Sequence, residues 1–133
     1  SGYARGYMMS NDKCHVMAEA MAKRCSNRVL QKIELEYRGS PVISEEFLSS
    51  IPCKIIGAGI HKDSIFWILN NDFSIWCTPS PTGTWKETSN KHTRIKVILN
   101  DGEVCYNDRN KSVAFELVQG RKATLEKLQN EGK

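Results

Sequence analysis

No apolar stretch in the 133-residue chain approaches the roughly 20 residues needed to span a bilayer, and no cleavage pattern marks a signal peptide. Membrane insertion and secretion are not expected. The five cysteines, Cys14, Cys25, Cys53, Cys77 and Cys105, are odd in number and never form a CxxC pair. That spacing excludes a zinc-finger reading and makes a poor disulfide framework. Small buried apolar residues in a reducing, intracellular compartment (cytoplasm or nucleus) are predicted instead. There is no internal repeat, no low-complexity run and no long linker. Gly57 and Gly59 in IIGAGI lack the GxGxxG spacing of a phosphate-binding loop and sit in a strand pattern. Nothing calls for a metal or a cofactor. Nor is there a dense basic patch: 19 Lys and Arg against 15 Asp and Glu leave a net charge of +4. Such a surface permits contact with phosphates without demanding it.

What remains is an ordinary globular composition, 40% hydrophobic and 26% charged, in a length that suits one domain over residues 1–133. Residues 1–9 read as a tag remnant or a native extension. Residues 12–25 predict a helix with Cys14, Met17, Met21 and Cys25 on one stripe and Ala18 and Ala22 beside it. Asp12 suits the positive start of that helix. Residues 29–37 alternate as a strand, and 44–51 predict one or two helical turns capped by Ser44. Further strands are predicted at 54–60, 64–69, 73–77, 93–99, 103–106 and 112–118, then a helix over about 121–130 presenting Leu125 and Leu128. Asn70-Asn71-Asp72 and Asn100-Asp101-Gly102 are hairpin signals, because Asn, Asp and Gly tolerate positive φ. The reading is mainly β: a two-sheet antiparallel sandwich with flanking helices. Trp67, Trp76 and Trp85 fall on or near strands and are expected to pack rather than stack on bases.

The segment KHTRIKVILNDGEVCYNDRNKSVAFEL, from Lys91 to Leu117, resembles a signature stretch of the formamidopyrimidine-DNA glycosylase / endonuclease VIII family. There a Lys-His pair opens a strand, an asparagine-glycine hairpin follows, and the next strand ends in a Tyr-x-Asp element. Here Lys91-His92, Asp101-Gly102 and Tyr106-Asn107-Asp108 match in order. Upstream, Ser80 to Trp85 resembles a turn of that family, Ile60 to Trp67 one of its strands, and the helix around Val16 its N-terminal start. The similarity covers residues 10–131 and implies the family's N-terminal domain alone. No counterpart of the second, zinc-finger lobe follows within these residues.

The resemblance also locates departures. The family's proline amine attacks the sugar of a damaged nucleotide and forms a Schiff base. Counting back from Val16, that position falls on Asn11, whose amide cannot do this, and the partner glutamate falls on Asp12. The methionine that fills the gap left by a flipped base falls on Pro81, and the intercalating Arg-Phe falls near Lys111-Ser112. Ser10, Asn11 and Asp12 are therefore vestigial candidates. Lys62, Lys91, His92, Arg109, Asn110 and Lys111 stand where the family meets DNA, although a solvated charged surface would also accommodate them. The expectation is a degenerate, non-catalytic domain that binds DNA weakly through phosphates or binds a DNA-processing protein. One alternative is a minimal glycosylase/lyase using the Ser10 amine, should translation start at Met9. Another is a protein-interaction or inhibitor module without nucleic-acid affinity.

Overall fold

The computed structural model describes residues 15–110 and 113–129. A helix over residues 15–24 (α1) leads into β1 (Val29–Leu35) and a single helical turn, α2 (Glu45–Leu48). Then come β2 (Cys53–His61), β3 (Ser64–Leu69), β4 (Phe73–Pro79), β5 (Thr84–Lys86), β6 (Thr93–Leu99), β7 (Gly102–Asn107), β8 (Val113–Gln119) and α3 (Arg121–Gln129). No described helix is long and apolar enough to cross a membrane.

Local chemistry accounts for the boundaries. The Ser44 side chain accepts the Phe47 N–H at 3.2 Å and caps α2, with Glu45 and Glu46 in the positive first turn. Asp72 (φ 74°) and Gly102 (φ 146°) turn the β3–β4 and β6–β7 hairpins. IIGAGI is strand, as expected. Gly57 and Gly59 leave bare backbone on which the Ile68 and Phe66 side chains of β3 rest.

All pairings are antiparallel, in the order β5-β7-β6-β1-β2-β3-β4-β8. The predicted two layers are the two wings of this one sheet. Its wings meet at a joint of only two residue pairs, Val29 with Lys54 and Leu30 with Cys53. Trp67 of β3 and Trp85 of β5 show how the wings lie. They are five strand steps apart, about 24 Å on a flat sheet at ~4.8 Å per strand. Their rings nevertheless meet edge to face at 5.8 Å, so the sheet folds over and the wings share one core. Leu30, Ile55, Ile65, Ile75, Ile95, Val97, Val104 and Tyr106 fill it. All three tryptophans are buried, as the packing reading required.

Three details differ from expectation. The core face of α1 carries Ala18, Ala22 and Cys25, while Met17 is half exposed and Met21 only flanks the core. Small residues let the helix lie close to the sheet, where the Trp67 indole N–H donates to the Ala22 carbonyl at 3.0 Å. Cys14 lies outside the described residues. β1 ends at Leu35, two residues early. In α3 the buried residue is Thr124, whose hydroxyl bonds Ser74 at 2.7 Å, and Leu125 faces outward. Cys25, Cys53, Cys77 and Cys105 are buried free thiols, and burial pushes the Cys53 thiol up to about 11.

Candidate functional site

Strand direction gathers the chemistry-bearing loops at one end of the sheet. Thr93 pairs with Asn107 and Thr84 with Asn107, Ser64 with His61, and Pro79 with Val113. The β2–β3 turn, the β4–β5 and β7–β8 loops and the end of the β5–β6 loop that leads into β6 therefore share one rim. Lys62 turns the first of these with φ 56°. Lys91 and His92 precede β6, and Arg109 and Asn110 follow β7.

At the centre of the rim stands a residue that the sequence reading passed over except as part of a motif. Asp108 is 1% exposed and carries a charge. Its Oδ2 accepts the Ser80 hydroxyl at 2.6 Å and the Tyr106 hydroxyl at 2.8 Å. Its Oδ1 accepts the Thr82 hydroxyl at 2.8 Å and the Asn110 N–H at 3.0 Å. Burial works against the charge, but the Ser80, Asn110, Thr82 and Tyr106 bonds outweigh it and hold the carboxyl down at about 2. Burial in turn pushes the Tyr106 phenol up to about 12, and the neighbouring carboxylate adds to it.

The backbone at Asp108 is tied as well. Its N–H donates to the His92 carbonyl at 2.9 Å, and its own carbonyl accepts the Arg94 guanidinium at 2.8 Å. The Tyr106 hydroxyl also accepts the Ser80 N–H at 2.9 Å. Gly83 is required beside it: a Cβ there would come within 1.9 Å of the Tyr106 hydroxyl. Ser80 and Thr82 belong to one wing's exit loop and Tyr106 to the other wing, so this cluster closes the fold at the rim.

Two concavities flank the cluster. One, of about 430 Å³, is lined by Thr82, Thr84, Asn90, His92, Asn107, Asp108, Arg109 and Asn110. Its only acid is Asp108, already saturated by donors. Asn107 is also engaged, accepting from Thr93 and donating to the Thr88 carbonyl. That leaves hydroxyls, amides, an imidazole and a guanidinium to face solvent. The other, of about 220 Å³, sets Lys91, Arg94 and Lys96 against Glu34 and Glu36. So the structure brings His92, Arg109 and Asn110 together, turns Lys91 to the neighbouring concavity, and holds Lys62 on a separate turn. Lys111, Ser10, Asn11 and Asp12 lie outside the described residues.

Among the described residues no carboxylate forms an ion pair with Lys91 or Arg109. The opposite end of the sheet differs. There Arg24 meets Glu87 at 2.6 Å and Asp101 at 3.3 Å, and Arg28 meets Asp101 at 2.8 Å. Those cations tie α1 and the connection after it to the β6–β7 hairpin and to Glu87 after β5. No group of three or more His, Cys, Asp or Glu among the described residues could hold a metal ion.

No protein-family model matches the chain, and no curated protein matches it by sequence. Solved structures do match in shape. The complex between the Lactococcus lactis Fpg and an abasic site containing DNA aligns at TM-score 0.68 and 18% identity, covering 86% of this chain and 45% of that one. The Lactococcus lactis Fpg (MutM) complex with a FAPY-dG containing DNA aligns at 0.65 and 19%, covering 81% and 43%. The MutM (Fpg) protein from Thermus thermophilus aligns at 0.65 and 12%, covering 84% and 42%. The chain thus spans less than half the length of each of these proteins. At this identity the likeness establishes architecture: the chain has the fold of the N-terminal domain of Fpg, the family to which its sequence motifs pointed.

Proposed function

We propose that this chain binds nucleic acid through its loop-bearing rim and does not excise bases. The observation that carries the reading is the donor-rich concavity beside Asp108, which Arg109 and His92 line and whose one carboxylate, Asp108, is turned onto four donors and forms no ion pair with Arg109 among the described residues. The fold likeness supports it, since two of the matched Fpg structures hold DNA. Phosphate oxygens are acceptors with negative charge, and they suit a surface of guanidinium, ammonium, amide and hydroxyl donors. Few cations are involved, so affinity belongs on the order of the micromolar, non-specific range and falls with salt. Base preference is slight, because phosphate contacts position a protein without reading sequence. An intracellular site of action, in cytoplasm or nucleus, goes with this role.

Catalysis is not part of the proposal because Asn11 stands at the position that the resemblance assigns to the amine nucleophile. Fluorescence anisotropy with labelled duplex and single-stranded DNA at low salt tests the binding. Saturable binding, weakened alike for all sequences by Lys91→Ala with Arg109→Ala, is expected. No binding at high protein concentration would contradict the proposal and leave a protein partner as the alternative.

A further inference from the structure

The rim's exposed donors sit on two loops that come from opposite wings of the folded sheet. Arg109 and Asn110 follow β7; Thr82 follows β4. Loops of this kind, exposed and without regular ladders, ordinarily sample several arrangements. Here one side chain spans them. The two Asp108 oxygens bond Ser80 and Thr82 on one loop and the Asn110 N–H on the other. The Asn110 side-chain amide closes the ring by donating to Thr82 Oγ1 at 3.1 Å. The Asp108 backbone adds the β5–β6 loop through the His92 carbonyl. Every loop that lines the larger concavity is tied to this one residue.

We propose that Asp108 is the positioning residue of the rim: its buried carboxylate fixes the β4–β5 and β7–β8 loops so that Arg109, Asn110 and His92 meet a nucleic-acid backbone in one preset geometry. This role rests on the nucleic-acid reading above. Asp108 itself does not touch the ligand; all its acceptor capacity is directed inward. It acts by sparing the loops an ordering cost at the moment of binding.

Ser80 offers the cleanest test, because its hydroxyl belongs to the clamp while its side chain does not line the concavity. Ser80→Ala removes the bond to Asp108, together with the hydroxyl's contacts to Thr82 and Tyr106, without emptying the core, and Ser80→Thr keeps the hydroxyl. Two readouts are taken: amide hydrogen exchange at Asn110 and anisotropy with a labelled DNA duplex. In Ser80→Ala, exchange at Asn110 is expected to quicken roughly tenfold and binding to weaken roughly three- to tenfold, as loss of this hydroxyl from the clamp would give. Ser80→Thr is expected to match the unaltered protein in both. In an Arg109→Ala background the binding cost of Ser80→Ala is expected to shrink, because the clamp acts through the residues it positions, of which Asn110 and His92 remain. If the unaltered protein binds and Ser80→Ala exchanges and binds identically, the positioning role is overturned. An equal binding loss with and without Arg109 would overturn it too, since that marks general loosening. If the unaltered protein binds neither duplex nor single-stranded DNA, the nucleic-acid reading fails and takes this role with it.

Discussion

A buried carboxylate keeps its charge only where donors replace the water it has lost. Asp108 meets that condition with four donors at 2.6–3.0 Å, and its folded-state acidity makes a prediction. Its carboxyl lies near 2 in the fold against an ordinary 3.8, so the folded state holds the proton less tightly than the unfolded chain. The stabilisation, about 2 kcal/mol from that difference, is whole above about pH 4 and is lost as pH falls through about 2. Asp108→Asn turns one acceptor into a donor facing donors and is expected to cost roughly 2–4 kcal/mol at pH 7. Urea unfolding of both forms should show that gap narrowing towards pH 2; a constant gap would mean that the charge contributes nothing. Gly83→Ala is a second expected lesion, roughly 1–3 kcal/mol by thermal or urea melting, because the Tyr106 hydroxyl occupies the space a Cβ needs. The sequence made Arg109, Asn110 and His92 visible as exposed polar residues in a matched motif. It did not single out Asp108 or Ser80, since a charged or hydroxyl residue in a loop reads as solvated until the fold brings the other wing against it.

The elements differ in how they were specified. β3 and β6 alternate by residue and each runs into a hairpin turn, so their period and turns located them within a residue or so. β5 has only Thr84, Trp85 and Lys86 and no period to read; the expected packing of Trp85 was its one visible sign. In α1, two stripes had helical spacing, and the small-residue stripe faces the sheet because the Trp67 indole fills the space between. The facing tryptophans provide a prediction at this scale. The Trp67 indole N–H is bonded to Ala22, whereas the buried Trp85 indole nitrogen has no partner among the described residues. Trp67→Phe should therefore destabilise by about 1 kcal/mol more than Trp85→Phe in denaturant melts, the worth of one satisfied hydrogen bond. Equal costs would mean that the α1 anchor is energetically silent.

Across the whole molecule, the two ends of the folded-over sheet differ. Arg24 and Arg28 at one end pair with Glu87 and Asp101, while Arg109 and Lys91 at the other end form no ion pair among the described residues. Duplex affinity should fall linearly on a log–log salt plot, and Lys91→Ala with Arg109→Ala should flatten the slope. Borohydride should trap no covalent complex with an abasic-site duplex, given Asn11 at the nucleophile position implied by the resemblance. A trapped complex would point to an unblocked amine at Ser10, in a chain that begins there. Nucleic-acid binding at this rim is tested by titrating isotope-labelled protein with a short DNA duplex and following amide chemical shifts. Shifts confined to residues 62–63, 80–84, 90–92 and 107–110, with Arg24, Arg28 and Asp101 unmoved, are the predicted result. Shifts centred on the Arg24–Asp101 end, or none at saturating DNA, would contradict it.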